Sequence, residues 1–399
     1  MNKNIKLLHA IAAKDSRLII GLMSGTSLDG LDIALCRFTG SGPETRIALL
    51  EFATIGYDDH FKNEIRSVFS KRNVDLEKVC LLNAWVAQQH ARMILQCLKK
   101  WKIEPNAVDL IASHGQTIYH APKLLHQQEQ FGNATLQIGD GDHLAVSTGI
   151  ITISDFRQKH IAAGGEGAPL AVYGDYFIFS KKGENRIMLN IGGIANFTYL
   201  PGNLDATAIF STDTGPGNTL MDAYVQKHFQ LAYDKDAAIA KAGTVNETLL
   251  EELRKHIFFD KGFPKTTGPE LFNLAYLEEA IVRAGIGSIS QQDVMATLNR
   301  FSAVNIVDAL NRTLEKDKDF VIYTSGGGMH NPLLMEHIMT MLPAYTFHTT
   351  DALDINPDAK EALLFAILAN ECVAGGDTPI GNGTSDIPSV NMGKVSFPG

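Results

Sequence analysis

Short apolar runs closed by glycine or small polar residues alternate along this chain with longer stretches whose apolar positions recur every three to four residues. Leu18-Ile19-Ile20-Gly21-Leu22-Met23 reads as a buried strand that turns through Ser24-Gly25-Thr26-Ser27 and Asp29-Gly30. It returns as Leu31 to Cys36, with Leu31, Ile33 and Leu35 on one face. A third strand is predicted near 47–55. Leu76 to Trp101 has helical spacing, its stripe built from Leu81, Trp85, Val86, Ala91, Ile94, Leu95 and Leu98. Residues 109–113 and 150–154 read as compact strands, each followed at once by polar residues. In open α/β sheets ligands gather at such carboxyl ends.

The second half repeats the theme. Ile187 to Ile191 runs into Gly192-Gly193 and returns through 194–200. A strand over 320–324 leads into Ser325-Gly326-Gly327-Gly328 and a helical stretch over 331–341. Asn356-Pro357 reads as the cap and first-turn proline of a helix over about 358–373. The expected class is α/β, a duplicated fold with one glycine hairpin per lobe. Glycine turns also join strands that bind nothing, so the hairpins alone leave phosphate binding open.

With 399 residues the chain exceeds one hydrophobic core, so two lobes are expected. It is 45% apolar and 20% charged, enough to pack a core. A net charge of −9 argues against a nucleic-acid partner, yet backbone N–H groups can still cradle phosphate. Four cysteines stand far apart without a C-x-x-C pair, which fits a reducing, cytoplasmic setting and neither a zinc knuckle nor a disulfide framework. Lys3 and Lys6 precede a short apolar stretch interrupted by His9; it reads as a short helix or frayed extension, not a secretion signal. No run approaches the roughly 18 apolar residues of a membrane span.

The P-loop, H-E-x-x-H, G-x-S-x-G and protein-kinase signatures are absent from the sequence. What remains is glycine turns and aspartates at strand ends, the parts that phosphoryl transfer needs. In Ser24–Asp32, Gly25 and Gly30 allow close backbone approach to phosphate, Thr26 and Ser27 add hydroxyls, and Asp29 or Asp32 suits Mg²⁺ through water. An ordinary hydrogen-bonded turn would use the same residue types. Asp213-Thr214-Gly215-Pro216-Gly217-Asn218 places an aspartate at the expected entry of a helix, as general base or as a cap. Ser113-His114-Gly115-Gln116-Thr117 and Asp155-Phe156-Arg157 follow strands with groups suited to sugar hydroxyls. His114 and His120 have poor spacing for zinc. Gly164 to Leu170 reads as a hinge or substrate wall.

Together, and in this order, these segments resemble the anhydro-N-acetylmuramic acid kinase family. Gly21 to Asp32, 113–117, Leu136-Gln137-Ile138-Gly139, 155–157 and 164–170 match, as do Asn190 to Asn196, 213–218, Phe272-Asn273-Leu274, 325–328 and 358–362. The resemblance implies the actin/Hsp70/sugar-kinase fold, two ribonuclease-H-like lobes around an ATP cleft, divided as 1–163 plus 360–399 and 164–359. It implies a homodimer, a role in cell-wall sugar recycling, and ATP-driven phosphorylation of O6 as water opens the 1,6-anhydro bridge. Asp213 would be the base for that water. Gly25, Thr26, Ser27, Leu28, Asp29, Gly30, Leu31 and Asp32 would face the ATP phosphates, supported by Asn190, Gly192 and Gly193. Gly326, Gly327 and Gly328 would lie beneath the nucleoside, and Glu361 would orient Mg²⁺. His114, Gln116, Asp155 and Arg157 would contact sugar.

Gln158, Lys159 and His160 depart from the family pattern, as do Pro269, the extension before Leu18 and the ending from Met392. The first four bear on the anionic lactyl group, which leaves a neutral anhydro sugar such as levoglucosan as an alternative substrate. Lys159 keeps one positive charge in that region. A non-catalytic ATP-binding regulator is a third reading, against which Asp213 beside intact glycine turns speaks.

Overall fold

Leu31, Ile33 and Leu35 are fully buried, as their alternation predicts, and they build the first of two sheets. The computed structural model describes residues 1–314, 319–353, 355–376, 378–381 and 387–399. Its first unit comprises Met1–Ser180, Asp205–Ile209 and Ile355–Gly399. Strand β1 (Ser16–Ser24) pairs antiparallel with β2 (Gly30–Thr39), and β2 with β3 (Arg46–Gly56). On its other edge β1 runs parallel to β4 (Leu110–Ala121), which also pairs with β5 (Ala134–Ile138) and, in parallel, with β6 (Thr152–Ser154).

Successive β1 residues face opposite ways. Ile20 and Leu22 join the core beneath the Leu76–Trp101 helix, with Leu82, Val86, Ile94 and Leu98. Gly21 faces the Lys360–Ala374 helix so closely that a Cβ would lie 1.9 Å from the Ala362 carbonyl oxygen. Leu81, expected in the helical stripe, is 62% exposed and Leu82 is buried in its stead. One residue turns the helix by about 100°, and a Leu-Leu pair does not declare which member faces inward. The stretch before Leu18 forms a helix, Lys3–Ala12, that buries Ile11.

The second unit comprises Lys181–Leu204 and Phe210–Asp354. Here β7 (Asn185–Ile191), β8 (Ile194–Leu200) and β9 (Phe210–Pro216) form an antiparallel meander. Strand β10 (Phe320–Ser325) runs parallel to β7, and β11 (Thr346–Thr349) parallel to β10. Strand β12 (Lys394–Ser396) closes the far edge of the first sheet against β6. Both sheets therefore share a five-strand arrangement, a three-strand meander extended from its first strand by two successive parallel strands, to which the first sheet adds β5 and β12. This is the pattern expected of two ribonuclease-H-like lobes.

Residues 164–180 group with the first unit because the Ala171–Phe179 helix packs on the Lys360–Ala374 helix; the sequence-drawn boundary at 163 falls earlier. Among the described residues no helix is long and apolar enough to cross a membrane.

Candidate active site

In the first unit the site is the turn joining β1 to β2. Leu28 sits at φ 60°, a left-handed conformation that costs a branched apolar residue on the order of 1 kcal/mol. Its side chain is 3% exposed and locked in the core, while Thr26, Ser27 and Asp29 stay exposed. The Leu28 N–H donates to the Gly25 carbonyl at 3.3 Å. A Cβ on Gly30 would lie 2.5 Å from the Ile55 carbonyl oxygen, so only glycine lets β2 leave the turn here.

A buried polar chain supports this turn. Gln116 Oε1 accepts from the Ser24 hydroxyl, so Ser24 must accept from Tyr57 at 2.7 Å. Tyr57 in turn accepts from His90 Nε2 at 2.9 Å. Gln116 Nε2 then donates to the Gly25 carbonyl at 3.3 Å, and every proton points toward the turn. Burial lowers the His90 pKa to about 3, which keeps that imidazole neutral. Gln116, expected to meet sugar, bonds through its amide to Ser24, the Gly25 carbonyl and the Thr117 carbonyl beneath this turn.

His114 and Gln116 were expected just after a strand ending at Ser113; β4 instead continues through both. Gly115, at φ 74°, breaks the β1 register between Leu22 and Ser24 without ending the strand. His114 Nδ1 donates to the Gly115 carbonyl at 2.9 Å, so Nε2 is free to accept from Arg157 Nε at 2.9 Å. Arg157 Nη1 donates to the Gly167 carbonyl at 2.6 Å. Burial first, and the Arg157 charge second, lower the His114 pKa to about 3. Asp155, at φ 59°, forms an ion pair with Lys394. Gln158 donates to the Thr135 carbonyl and His160 accepts from the Gly167 N–H, whereas Lys159 is exposed.

Two carboxylates lie beside this network. Asp32 Oδ1 accepts from the Thr54 hydroxyl at 2.5 Å. Burial raises its pKa, Thr54 opposes that, and Asp358 and Asp29 raise it further. Glu361 is raised by desolvation first and by the Asp32 charge second, with Lys360 and Arg157 opposing. Asp32 is half-buried and Glu361 exposed, and a pair of carboxylates that repel one another suits a divalent cation. Among the described residues no group of three acidic, histidine or cysteine ligands is assembled. Mg²⁺ commonly takes one or two carboxylates and completes its shell with water and phosphate oxygens, so the pair fits that ion.

In the second unit Asp213 does not enter a helix. It lies within β9, opposite Asn196, and the Thr219–Phe229 helix begins later. The backbone N–H of Asp213 donates to the Lys265 carbonyl at 2.9 Å, and its Oδ2 accepts from the Thr267 N–H at 2.8 Å. Burial raises the carboxyl to about 6, Thr267 opposes that, and Glu270 adds to it. A carboxylate with that affinity can take a proton from water near neutral pH.

Gly192 and Gly193 are clasped from below. The N–H of Asn218 donates to the Gly192 carbonyl, and those of Gly217 and Thr219 donate to Gly193. A Cβ on Gly326 (φ 82°) would lie 2.6 Å from Asn190 Oδ1, and one on Gly328 would lie 2.3 Å from Ile191 Cγ2. Those two glycines serve close packing of β10 on β7. Gly327 is the open one, with Asn218 Nδ2 3.7 Å from where its Cβ would stand.

Sequence reasoning passed over Thr267, Glu270, Lys265, Tyr57 and His90. The pairing of Thr267 with Asp213 spans 54 residues and leaves no local signal.

A family model described as "Anhydro-N-acetylmuramic acid kinase" matches residues 17–397. A protein of that name from Pseudoalteromonas atlantica is 60% identical over 400 residues, spanning all of both chains. Another, from Pseudoalteromonas translucida, is 57% identical over 399 residues with the same full coverage. A third, from Caldanaerobacter subterraneus, is 38% identical over 390 residues, covering 96% of this chain and 98% of its own.

Proposed function

The chain belongs to the anhydro-N-acetylmuramic acid kinase family, and from that premise we propose that it uses ATP to phosphorylate O6 of 1,6-anhydro-N-acetylmuramic acid while water opens the anhydro bridge at C1. The products are N-acetylmuramic acid 6-phosphate and ADP. Water forms the new C1–O bond and gives its proton to Asp213. The C1–O6 bond breaks, and O6, gaining negative charge as it leaves, accepts the γ-phosphoryl group. Water attacks the face of C1 opposite O6, as in inverting glycosidases.

The observation that carries this reading is Asp213, desolvated to about 6 and aimed by the Thr267 N–H. A carboxylate half-buried beside a single N–H donor, with its proton affinity raised toward neutral pH, suits a general base. The Gly25–Asp32 turn takes the ATP phosphates, and Asn190, Gly192, Gly193 and Gly327 support the nucleotide from their own unit. Asp32 and Glu361 are the residues that would hold Mg²⁺, which when bound would neutralise charge on the phosphate oxygens. Arg157, aimed by His114, pairs with the sugar carboxylate, with exposed Lys159 nearby in sequence.

Purified protein is given Mg²⁺-ATP with each of a panel of anhydro sugars, in heavy-oxygen water, with coupled ADP detection. The reading predicts ADP and a sugar 6-phosphate with one solvent oxygen at C1, fastest for the lactyl-bearing sugar. Faster turnover of levoglucosan would move the substrate to a neutral sugar. ATP binding without turnover of any sugar would indicate a regulator.

A further inference from the structure

Behind Asp213 lies a lysine that faces away from it. Lys265 is 7% exposed, and its Nζ donates to the Phe258 carbonyl at 3.0 Å and the Phe259 carbonyl at 3.4 Å. The ammonium stands 4.3 Å from the ring centre of Phe258, 5.5 Å from Phe263 and 5.8 Å from Phe259. Arg312, from the Gln291–Thr313 helix, donates to the Phe259 and Lys261 carbonyls and covers the Phe263 ring at 4.6 Å. The 258–267 segment is thus folded around two cations.

The same residue grips β9 with its backbone. Its N–H donates to Thr212 Oγ1 at 3.0 Å, and its carbonyl accepts from the Asp213 N–H at 2.9 Å. Two residues on, the Thr267 N–H reaches Asp213 Oδ2. Side chain, backbone clamp and carboxylate form one continuous path within the second unit.

We infer that Lys265 is a positioning residue for Asp213: its caged ammonium fixes the 258–267 segment so that Thr267 delivers its N–H to the carboxylate. The inference rests on Asp213 being the base of the proposed reaction. A surface lysine would hold the segment less firmly, because water competes for its carbonyl contacts and weakens its ring contacts. Burial and the Arg312 and Lys261 charges weaken the ammonium's hold on its proton, which Asp260 opposes. Glu270 is the charged group that faces Asp213 itself.

The test uses the full chain and two variants, Lys265→Met and Thr212→Val. Carbon-13 NMR follows the Asp213 carboxyl through a pH titration, with its signal identified by loss in Asp213→Asn. Because the Thr267 N–H favours the charged form, slackening the clamp should move the Asp213 midpoint upward. It should also lower kcat by about ten-fold or more, the usual consequence of a misplaced reacting group, with the KM for ATP unchanged. Thr212→Val should act in the same direction if Lys265→Met fails to fold. Folded variants that keep both the midpoint and kcat would overturn the inference. If instead the midpoint moves while Asp213→Asn remains fully active, the clamp stands and the base assignment fails.

Discussion

Arg157 donates from Nε to Nε2 of His114 across 2.9 Å, so a cation is aimed by an imidazole that carries no charge. The tautomer is fixed from behind by the Gly115 carbonyl, and the ring packs against Phe365 with centroids 4.7 Å apart. His114→Phe keeps the ring contact and removes the acceptor. It is expected to raise the KM for the anhydro sugar about ten-fold, equivalent to about 1.4 kcal/mol, and to leave the KM for ATP alone. Steady-state kinetics with each substrate varied in turn checks this. An unchanged sugar KM would remove Arg157 from sugar recognition.

Asp32 raises the pKa of Glu361, a repulsion that a divalent cation relieves. Glu361→Gln should therefore increase the Mg²⁺ concentration needed for half-maximal rate at saturating ATP. The same variant should be slightly more stable than the parent without metal, because the repulsion is gone. Activity titrated against Mg²⁺, beside thermal melts in chelator, separates the two effects. An unaltered Mg²⁺ requirement would take Glu361 out of the metal's surroundings.

Asp213 also predicts a pH dependence with opposite signs for rate and stability. Its folded pKa lies above that of the unfolded chain, so between about pH 4 and 6 the native state binds the extra proton. Stability from this group is complete below that window and is lost as pH rises through about 6. The loss has an upper limit on the order of 3 kcal/mol. The rate follows the other direction: kcat/KM should fall as pH drops below about 6, where the base is protonated. Asp213→Asn, neutral throughout, should melt higher than wild type at about pH 8. Equal melting temperatures there would mean that the carboxylate is not strained by burial.

Much of this architecture was legible because its signals are local. Leu31, Ile33 and Leu35 declare a strand with one core face, and all three are fully buried. The paired glycine hairpins declared two similar lobes, and the two sheets share a five-strand arrangement. The misreadings have physical causes. Adjacent Leu81 and Leu82 left the phase of a long helix undecided, and only packing chose Leu82. The polar residues after Ser113 looked like the end of a strand, yet β4 passes through them, with Gly115 at positive φ. Asp213 was recognised by its motif but assigned to a helix entry, since Gly-Pro-Gly reads as a break; the strand is held there by the 265–267 segment across a long loop. The partners of the Gln116 amide, Ser24 and Gly25, lie about 90 positions away in sequence and left no local signal.

The account turns on whether Asp213 takes the proton from the attacking water. Single-turnover kinetics of Asp213→Asn with Mg²⁺-ATP and 1,6-anhydro-N-acetylmuramic acid, alongside nucleotide binding by calorimetry, measures that most directly. The prediction is an unchanged affinity for ATP and a chemical step slowed by about 10²- to 10⁴-fold, the range for removal of a general base. A chemical step near the wild-type rate in a folded, ATP-binding variant would contradict it.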